Sequence, residues 1–348
     1  MNFESPGMIM LHVAAFAFCM SLAFSGFMIF AGLLDHPDHR SNHVRAVPTA
    51  GGIGIVAGLG TGMLALSLFY PAYANQNVLG SIMALVFGAG LLGLFDDVYD
   101  VNSKLKFAII ILLACACVYT IGPPKSFPLI VGQLAIPYWL GFAGAVLWVF
   151  AVTNGVNFMD GSNGLMAGSM TLAFLGLSVV AILVGASSTA VFSFIMATAL
   201  MGFLPYNSGD KARIFSGDVG SLLVGFSYAS ASLLLLREAP TFGLLYVGPL
   251  LILPFLTDIL LTMLMRAKRR ENLLAPHKSH LYQRLIGAGH SHTSISMLYG
   301  VAAMFVGIIA VTGLWYGLIK STAFFAIWVS ILSMIYLLIH QKLKANSQ

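Results

Sequence analysis

Long apolar stretches alternate with short polar ones along the whole chain. Each apolar stretch is close to the roughly 20 residues that a bilayer-crossing helix needs. Eleven such stretches fall near 8–34, 48–70, 76–95, 105–122, 138–154, 163–184, 187–204, 216–236, 241–265, 296–316 and 321–341. Their apolar residues run continuously, without the alternation of a barrel strand, so a porin-like barrel is excluded. Gly51, Gly52 and Gly54 crowd the start of the second stretch, and the fifth and seventh are short, so ten spans is the alternative count. The predicted fold is all-α: a polytopic transmembrane helical bundle forming one domain over 1–348. There is no strong internal repeat and no linker long enough to set off a second domain.

Composition agrees. Hydrophobic residues make up 59% of the 348 and charged residues 8%, against about 25% charged in an ordinary soluble domain. Mean hydropathy is +0.91. A soluble enzyme, a coiled coil and a disordered chain are therefore excluded. Cys19, Cys115 and Cys117 all lie within apolar runs, which fits neither a disulfide framework nor a zinc site. The opening MNFESPGMIM has no basic segment before its apolar run, so that run is expected to be a permanent helix.

Charge gives the orientation. With the N-terminus outside, 14 of the 17 Lys and Arg residues fall in inner loops, leaving Lys125, Arg237 and Lys320 outside. Cytoplasmic loops carry such an excess. The C-terminus is then cytoplasmic, and the net charge of +5 reflects topology, not nucleic-acid binding. Nine of the 12 acidic residues and seven of the nine His also fall inside. Chemistry is expected on that face, in loops 35–50, 96–106, 154–163, 205–218 and 266–296.

The segment GLFDDVYDVNSKLKF places Asp96, Asp97 and Asp100 directly after an apolar run, with Lys104 and Lys106 close behind. On a continuing helix Asp96 and Asp100 would share a face, with Asp97 beside them. Carboxylates so close call for a cation, and Mg²⁺ bound to a phosphate substrate is a suitable one. The same spacing serves prenyl diphosphate chemistry. The segment VTNGVNFMDGSNGL holds Asn154, Asn157, Asp160 and Asn163 three residues apart, on one face of a loose helical segment unless they are turn residues alone.

In PYNSGDKARIFSGDVGSLLVG, Asn207 precedes Asp218 and Ser221, which open a span between Gly217 and Gly220. Asp218 either caps that helix or holds a metal against phosphate at the helix N-terminus. Asp258 lies inside the ninth span, with Arg266 two turns on, or a group on another helix, as its candidate partner. The basic segment PHKSHLYQRL offers His277, His280 and Arg284 to a diphosphate, and the first inner loop offers Arg40.

Six stretches together resemble the polyprenyl-phosphate N-acetylhexosamine-1-phosphate transferase family: DHPDHRSNHVRAVPTAGGIGI, LFDDVYDVNSKLKF, NGVNFMDGSNGL, RIFSGDVGSLLVGF, LPFLTDILLTMLMR and PHKSHLYQRL. They run in the family's order over roughly 35–285. The resemblance implies transfer of a sugar 1-phosphate from a UDP-N-acetylhexosamine to undecaprenyl phosphate, with Mg²⁺ or Mn²⁺ as cofactor and UMP as product. It implies a bacterial inner-membrane enzyme, open to homodimer formation, with no nucleic-acid partner. By motif position, Asp96 and Asp97 match the paired aspartates, Asn157 and Asp160 an Asn-x-x-Asp element, Asp218 the metal-associated aspartate and His280 the last-loop histidine.

The expected catalytic set is thus Asp96, Asp97, Asp160 and His280, with Asp218 and Asn157 on the metal. Substrate contacts are expected from Arg40, Lys104, Lys106, Asn154, Asn163, Asn207, Ser221, His277 and Arg284. Tyr282 and Gln283 stand where the lipid I translocase carries further His. That leans toward an O-antigen or polysaccharide initiating enzyme and away from the muramoyl-pentapeptide substrate. A transporter, the alternative of another class, would place its charges at mid-membrane, where only Asp258 lies deep, and a prenyltransferase would show a second aspartate-rich repeat, which the sequence lacks.

Overall fold

A computed structural model describes residues 5–31, 34–35, 47–48, 50–129, 132–240, 244–272 and 277–345. In lipid every backbone polar group needs an internal partner, so the apolar runs become helices. They are α1 (Pro6–Ala31), α2 (Gly52–Phe69), α3 (Gln76–Tyr99), α4 (Ser103–Ile121), α5 (Tyr138–Phe158), α6 (Leu165–Leu183), α7 (Ser187–Asn207), α8 (Gly217–Glu238), α9 (Val247–Leu251), α10 (Leu253–Lys268), α11 (Leu281–Gly287), α12 (His292–Trp315) and α13 (Thr322–Ala345). There are also two short 3-10 helices, Leu244–Tyr246 and Leu318–Lys320, and two short antiparallel pairs, β1 (Leu34–Asp35) with β2 (Val47–Pro48), and β3 (Ser126–Pro128) with β4 (Gln133–Ala135).

Among the described residues ten helices are long and apolar enough to cross a membrane, and the chain is a polytopic helical membrane protein. The ninth predicted span is broken. Residues Leu244–Leu251 and Leu253–Lys268 meet at an angle of 75°, and counting them as one span gives eleven. Pro254 opens α10. A proline is tolerated at a helix start but cannot donate the bond that would continue α9.

The middle of the bundle is α8, with every residue from Val219 to Leu235 buried. It is apolar because protein surrounds it, not lipid. Its N-terminus lies against α3 and α2 at glycines. A Cβ on Gly93 would stand 2.2 Å from the Asp218 carbonyl oxygen, and one on Gly52 2.4 Å from the Gly220 nitrogen. Small residues let backbones approach this closely in membrane bundles. At the other extreme, α13 buries only Tyr336 among its described residues.

The ends of the bundle differ. One end gathers the C-termini of α3, α5, α7 and α10 with the N-termini of α4, α6, α8 and α12, and carries most of the polar contacts between helices. At the opposite end Glu238 caps α7, accepting from Ser188 N (3.1 Å), Thr189 N (2.8 Å) and the Thr189 hydroxyl (2.8 Å).

The helix carrying Asp96 and Asp97 does not continue to Asp100 as expected. Asp100 is its C-cap, left-handed at φ 47°, and exposed. Asn102 then caps α4, accepting from Lys104 N at 2.9 Å. Asp100 is therefore turned out of the face that Asp96 shares with α4.

Candidate active site

Three helices bring together three charges at the polar end. Lys106, in the first turns of α4, donates to Asp96 Oδ2 on α3 at 2.5 Å and to Asp218 Oδ2 on α8 at 2.8 Å. Asp96 Oδ1 accepts from Val101 N at 2.9 Å, which folds the α3–α4 turn back onto the carboxylate. Asn157, in the last turn of α5, donates its amide to Asp218 Oδ1 and to the Ser221 hydroxyl, both at 2.8 Å. The carbonyl end of Asn157 is thereby turned away from both. All five residues belong to the expected site.

Asp218 does not cap its own helix. The N-cap position is Ser216, whose hydroxyl donates to Asp160 Oδ2 instead. The free N–H groups of Asp218 and Val219 are taken by Asp97 from α3, at 2.8 and 3.1 Å. Asp97 thus caps α8 from another helix, a favourable place for a carboxylate on the helix dipole. Burial lifts the Asp160 carboxyl well above the usual carboxylate range, with the Ser216 hydroxyl pulling the other way and the negative charges of Asp218 and Asp97 adding to the rise.

Asp258 is completely buried but does not pair with Arg266. It accepts from Thr262 Oγ1 (3.1 Å), Leu281 N (2.9 Å), Tyr282 N (3.4 Å) and the Tyr299 hydroxyl (2.7 Å), with His280 Nδ1 at 3.3 Å. Arg266 instead reaches Glu271 Oε2 at 2.9 Å and Asn272 O at 2.7 Å. Asp258 therefore anchors α11 and the histidine before it. His280 lies between the Phe158 and Tyr282 rings, with centroids 6.3 and 6.0 Å away, beside the end of α5. The two departures from the His-rich pattern have structural work here. Tyr282 donates to Phe158 O at 3.0 Å, and Gln283 Oε1 accepts from His280 N at 3.3 Å.

Several expected contacts separate from this cluster. Asn154, Asn157, Asp160 and Asn163 do not share a face, because α5 ends at Phe158. Asn154 is buried one turn deeper and donates to Phe150 O at 2.8 Å. Asn163 ties its loop to Gly209 O at 2.8 Å, and Asn207 joins Gly164 N (2.9 Å) to Ile214 O (3.0 Å). Both are buried braces between loops, not surface groups. Arg284 lies against His340 of α13. Lys104 is exposed, with no side-chain bond described. His277 packs on His280, rings 4.9 Å apart, and burial pushes it down to about 4. It is neutral at neutral pH, so it offers a diphosphate a hydrogen bond and no positive charge. Arg40 lies outside the described residues.

The donors suit Mg²⁺ or Mn²⁺. Asp96 and Asp218 already share one cation, the Lys106 ammonium, between hard oxygens. Among the described residues no group of three or more His, Cys, Asp or Glu could hold an ion alone. One or two carboxylates completed by substrate phosphate is the usual arrangement for Mg²⁺. Ser216, Tyr282 and Tyr299 were not anticipated. Ser216 reads as a helix cap in SGDVGS, Tyr282 shows in sequence only as a departure from the His-rich pattern, and nothing local marks Tyr299.

Residues 79–236 match the family model described as glycosyl transferase family 4. The chain is 30% identical over 323 residues to a probable undecaprenyl-phosphate N-acetylglucosaminyl 1-phosphate transferase of Bacillus subtilis (strain 168), covering 90% of this chain and 84% of that protein. It is 29% identical over 307 residues to the decaprenyl-phosphate N-acetylglucosaminephosphotransferase of Mycobacterium tuberculosis (strain ATCC 25618 / H37Rv), covering 80% and 74%. It is also 29% identical over 290 residues to the phospho-N-acetylmuramoyl-pentapeptide-transferase of Staphylococcus aureus (strain MW2), covering 78% and 85%.

Proposed function

The chain belongs to glycosyl transferase family 4, and from that premise we propose that it transfers an N-acetylhexosamine 1-phosphate from a UDP-sugar to undecaprenyl phosphate, releasing UMP. It is a sugar-phosphate transferase enzyme. The sugar is GlcNAc or a related aminosugar, the 6-deoxy kind included, and the product starts a lipid-linked O-antigen or envelope polysaccharide. The enzyme sits in the bacterial cytoplasmic membrane with its site facing the cytoplasm. That placement is supported by the basic residues, 14 of 17 of which fall in loops on that side.

One observation carries the reading: Lys106, Asp96, Asp218 and Asn157 converge at the end of the bundle, on the N-terminus of its central helix. A lipid acceptor reaches such a place from the bilayer and a nucleotide sugar from water. The acceptor phosphate oxygen forms a bond to the phosphorus that bears the sugar. The bond from that phosphorus to UMP breaks, and UMP leaves with the negative charge. The acceptor is a phosphate monoester with its second pKa near 6, so it is largely ionised at neutral pH without a base.

The protein's part is positioning and charge. Mg²⁺ or Mn²⁺, held by Asp218, would neutralise the diphosphate, while Asn157, whose amide nitrogen faces that carboxylate, would aim it. Asp97 sets the position of Asp218 by gripping the backbone beneath it. Lys106 supplies a positive charge, held between Asp96 and Asp218, and neutral His277 and the held His280 offer ring nitrogens near the end of α5. Tyr282 and Gln283, standing where the muramoyl-pentapeptide enzymes carry further His, are the sequence feature that favours the smaller sugar.

The test is a membrane assay with radiolabelled UDP-GlcNAc and undecaprenyl phosphate. A lipid-linked product with UMP is expected. UDP as the released nucleotide would overturn the reaction type. Transfer from UDP-N-acetylmuramoyl-pentapeptide, with none from UDP-GlcNAc, would overturn the sugar.

A further inference from the structure

The Lys106 ammonium lies between two carboxylates from two other helices and is largely covered, its side chain 15% exposed. Asp218 is the more open partner, at 28%. Without the ammonium, Asp96 and Asp218 would face each other as like charges. Lys106 therefore does the electrostatic work of a cation at the place where a divalent ion would neutralise the same oxygens. An ammonium and a divalent ion on the same Asp218 Oδ2 would repel each other at close range, so each weakens the other's hold.

We propose that Lys106 is an exchangeable counter-ion. A divalent cation enters by displacing the ammonium from Asp218, and the freed ammonium moves to the diphosphate of the nucleotide. The lysine stem suits this, since it is a flexible four-carbon chain ending in three rotatable donors. Asn157 holds the other oxygen of Asp218 throughout, so the carboxylate keeps its aim while its cation changes. The exchange rests on the transferase reading for its diphosphate, but the ion displacement can be measured without turnover.

Two consequences have opposite sign, and a purely structural lysine would not produce both. The ion alone competes with Lys106, so removing the ammonium tightens Mn²⁺ binding. With the ion present Lys106 belongs to the diphosphate, so the same change weakens UDP binding. Couplings of this kind are typically worth about fivefold to a hundredfold in affinity.

Purified protein in nanodiscs is titrated with Mn²⁺ alone, followed by the resonance of the free ion, and then with UDP at saturating Mn²⁺. Lys106→Met should bind Mn²⁺ alone at least about fivefold more tightly than wild type, and UDP at least about fivefold more weakly. Should Lys106→Met not be recovered folded, Lys106→Gln, uncharged but with an amide that can donate to a carboxylate, serves for the same two titrations. Mn²⁺ affinity unchanged or lowered by the substitution overturns the exchange, as does unchanged UDP affinity. Wild type that binds neither Mn²⁺ nor UDP would sink the transferase reading itself.

Discussion

Asp97 stands on α3, yet both of its carboxylate oxygens accept backbone N–H groups at the start of α8, one of them from Asp218. The second aspartate of the pair is therefore bound to the frame of the site, while the first, Asp96, faces its cation. Paired aspartates that look equivalent in sequence have different work in space. Asp97→Asn should lower UDP affinity in the presence of Mn²⁺ by about tenfold or more and lower transfer with it, since one amide oxygen replaces two acceptors at a charge-assisted cap. Lost transfer with wild-type UDP affinity would return Asp97 to the role of a base.

Asp218→Asn separates a metal ligand from a helix cap. Asn caps about as well as Asp, and the cap of α8 is supplied by Asp97 in any case. Normal insertion with transfer reduced by orders of magnitude is expected, and chelation of the wild type should have the same effect until Mg²⁺ or Mn²⁺ is restored. Near-normal transfer by Asp218→Asn at ordinary Mg²⁺ would remove Asp218 from the metal.

The raised carboxyl of Asp160 sets a sign for stability. Its folded pKa lies above the unfolded value, so its contribution is full below the ordinary carboxylate range and is lost as pH rises through the folded value. Asp160→Asn keeps an acceptor for Ser216 and has no charge to bury. Its thermal midpoint should exceed that of wild type by a few degrees at pH 8, and the gap should close toward pH 4. A wild-type advantage at pH 8 would contradict this.

His277 has the opposite slope. Held at about 4 by burial, against an ordinary 6.5, it favours the folded state fully above 6.5 and loses that contribution as pH falls toward 4. His277→Asn should therefore flatten the acid limb of stability in that window, measured as thermal midpoint against pH. An identical limb in both proteins would mean that the ring is not held neutral.

Tyr299 donates to buried Asp258 at 2.7 Å. Tyr299→Phe leaves the carboxylate its other partners and should cost about 1.5–3 kcal/mol, the range for a hydrogen bond to a charged group. Faster hydrogen exchange at the Leu281 and Tyr282 amides should accompany it, because those amides rest on the same carboxylate. Unchanged exchange there would show that α11 is anchored elsewhere.

Most of the bundle was legible because continuous apolar runs admit little else. The exception, the break after Leu251, depends on Pro254, which reads in sequence as one more residue of an apolar run. Asp96, Asp97 and Asp218 were legible as a group from their position at span ends. Their division of labour was not, because Asp97 and Asp218 are 121 residues apart and no periodicity connects them. Asp258 could be recognised as a buried charge, but its partners come from α11 and α12, and Arg266, the local candidate, had a nearer carboxylate in Glu271. Asn163 and Asn207 look like ligands in sequence because loop braces and substrate contacts use the same amide chemistry.

The enclosed position of α8 also bears on the order in which the protein is made. Most of its packing is with helices that precede it in the chain, α2 to α7, and only α9 and the turn before it follow among the described elements that pack on it substantially. Until residue 219 is synthesised, Asp97 has no helix end to hold and Lys106 has only Asp96. A nascent chain halted before Gly217 therefore carries seven inserted helices around a missing centre, with carboxylates and small-residue faces uncovered. What the finished protein conceals, such a chain would leave open to the bilayer.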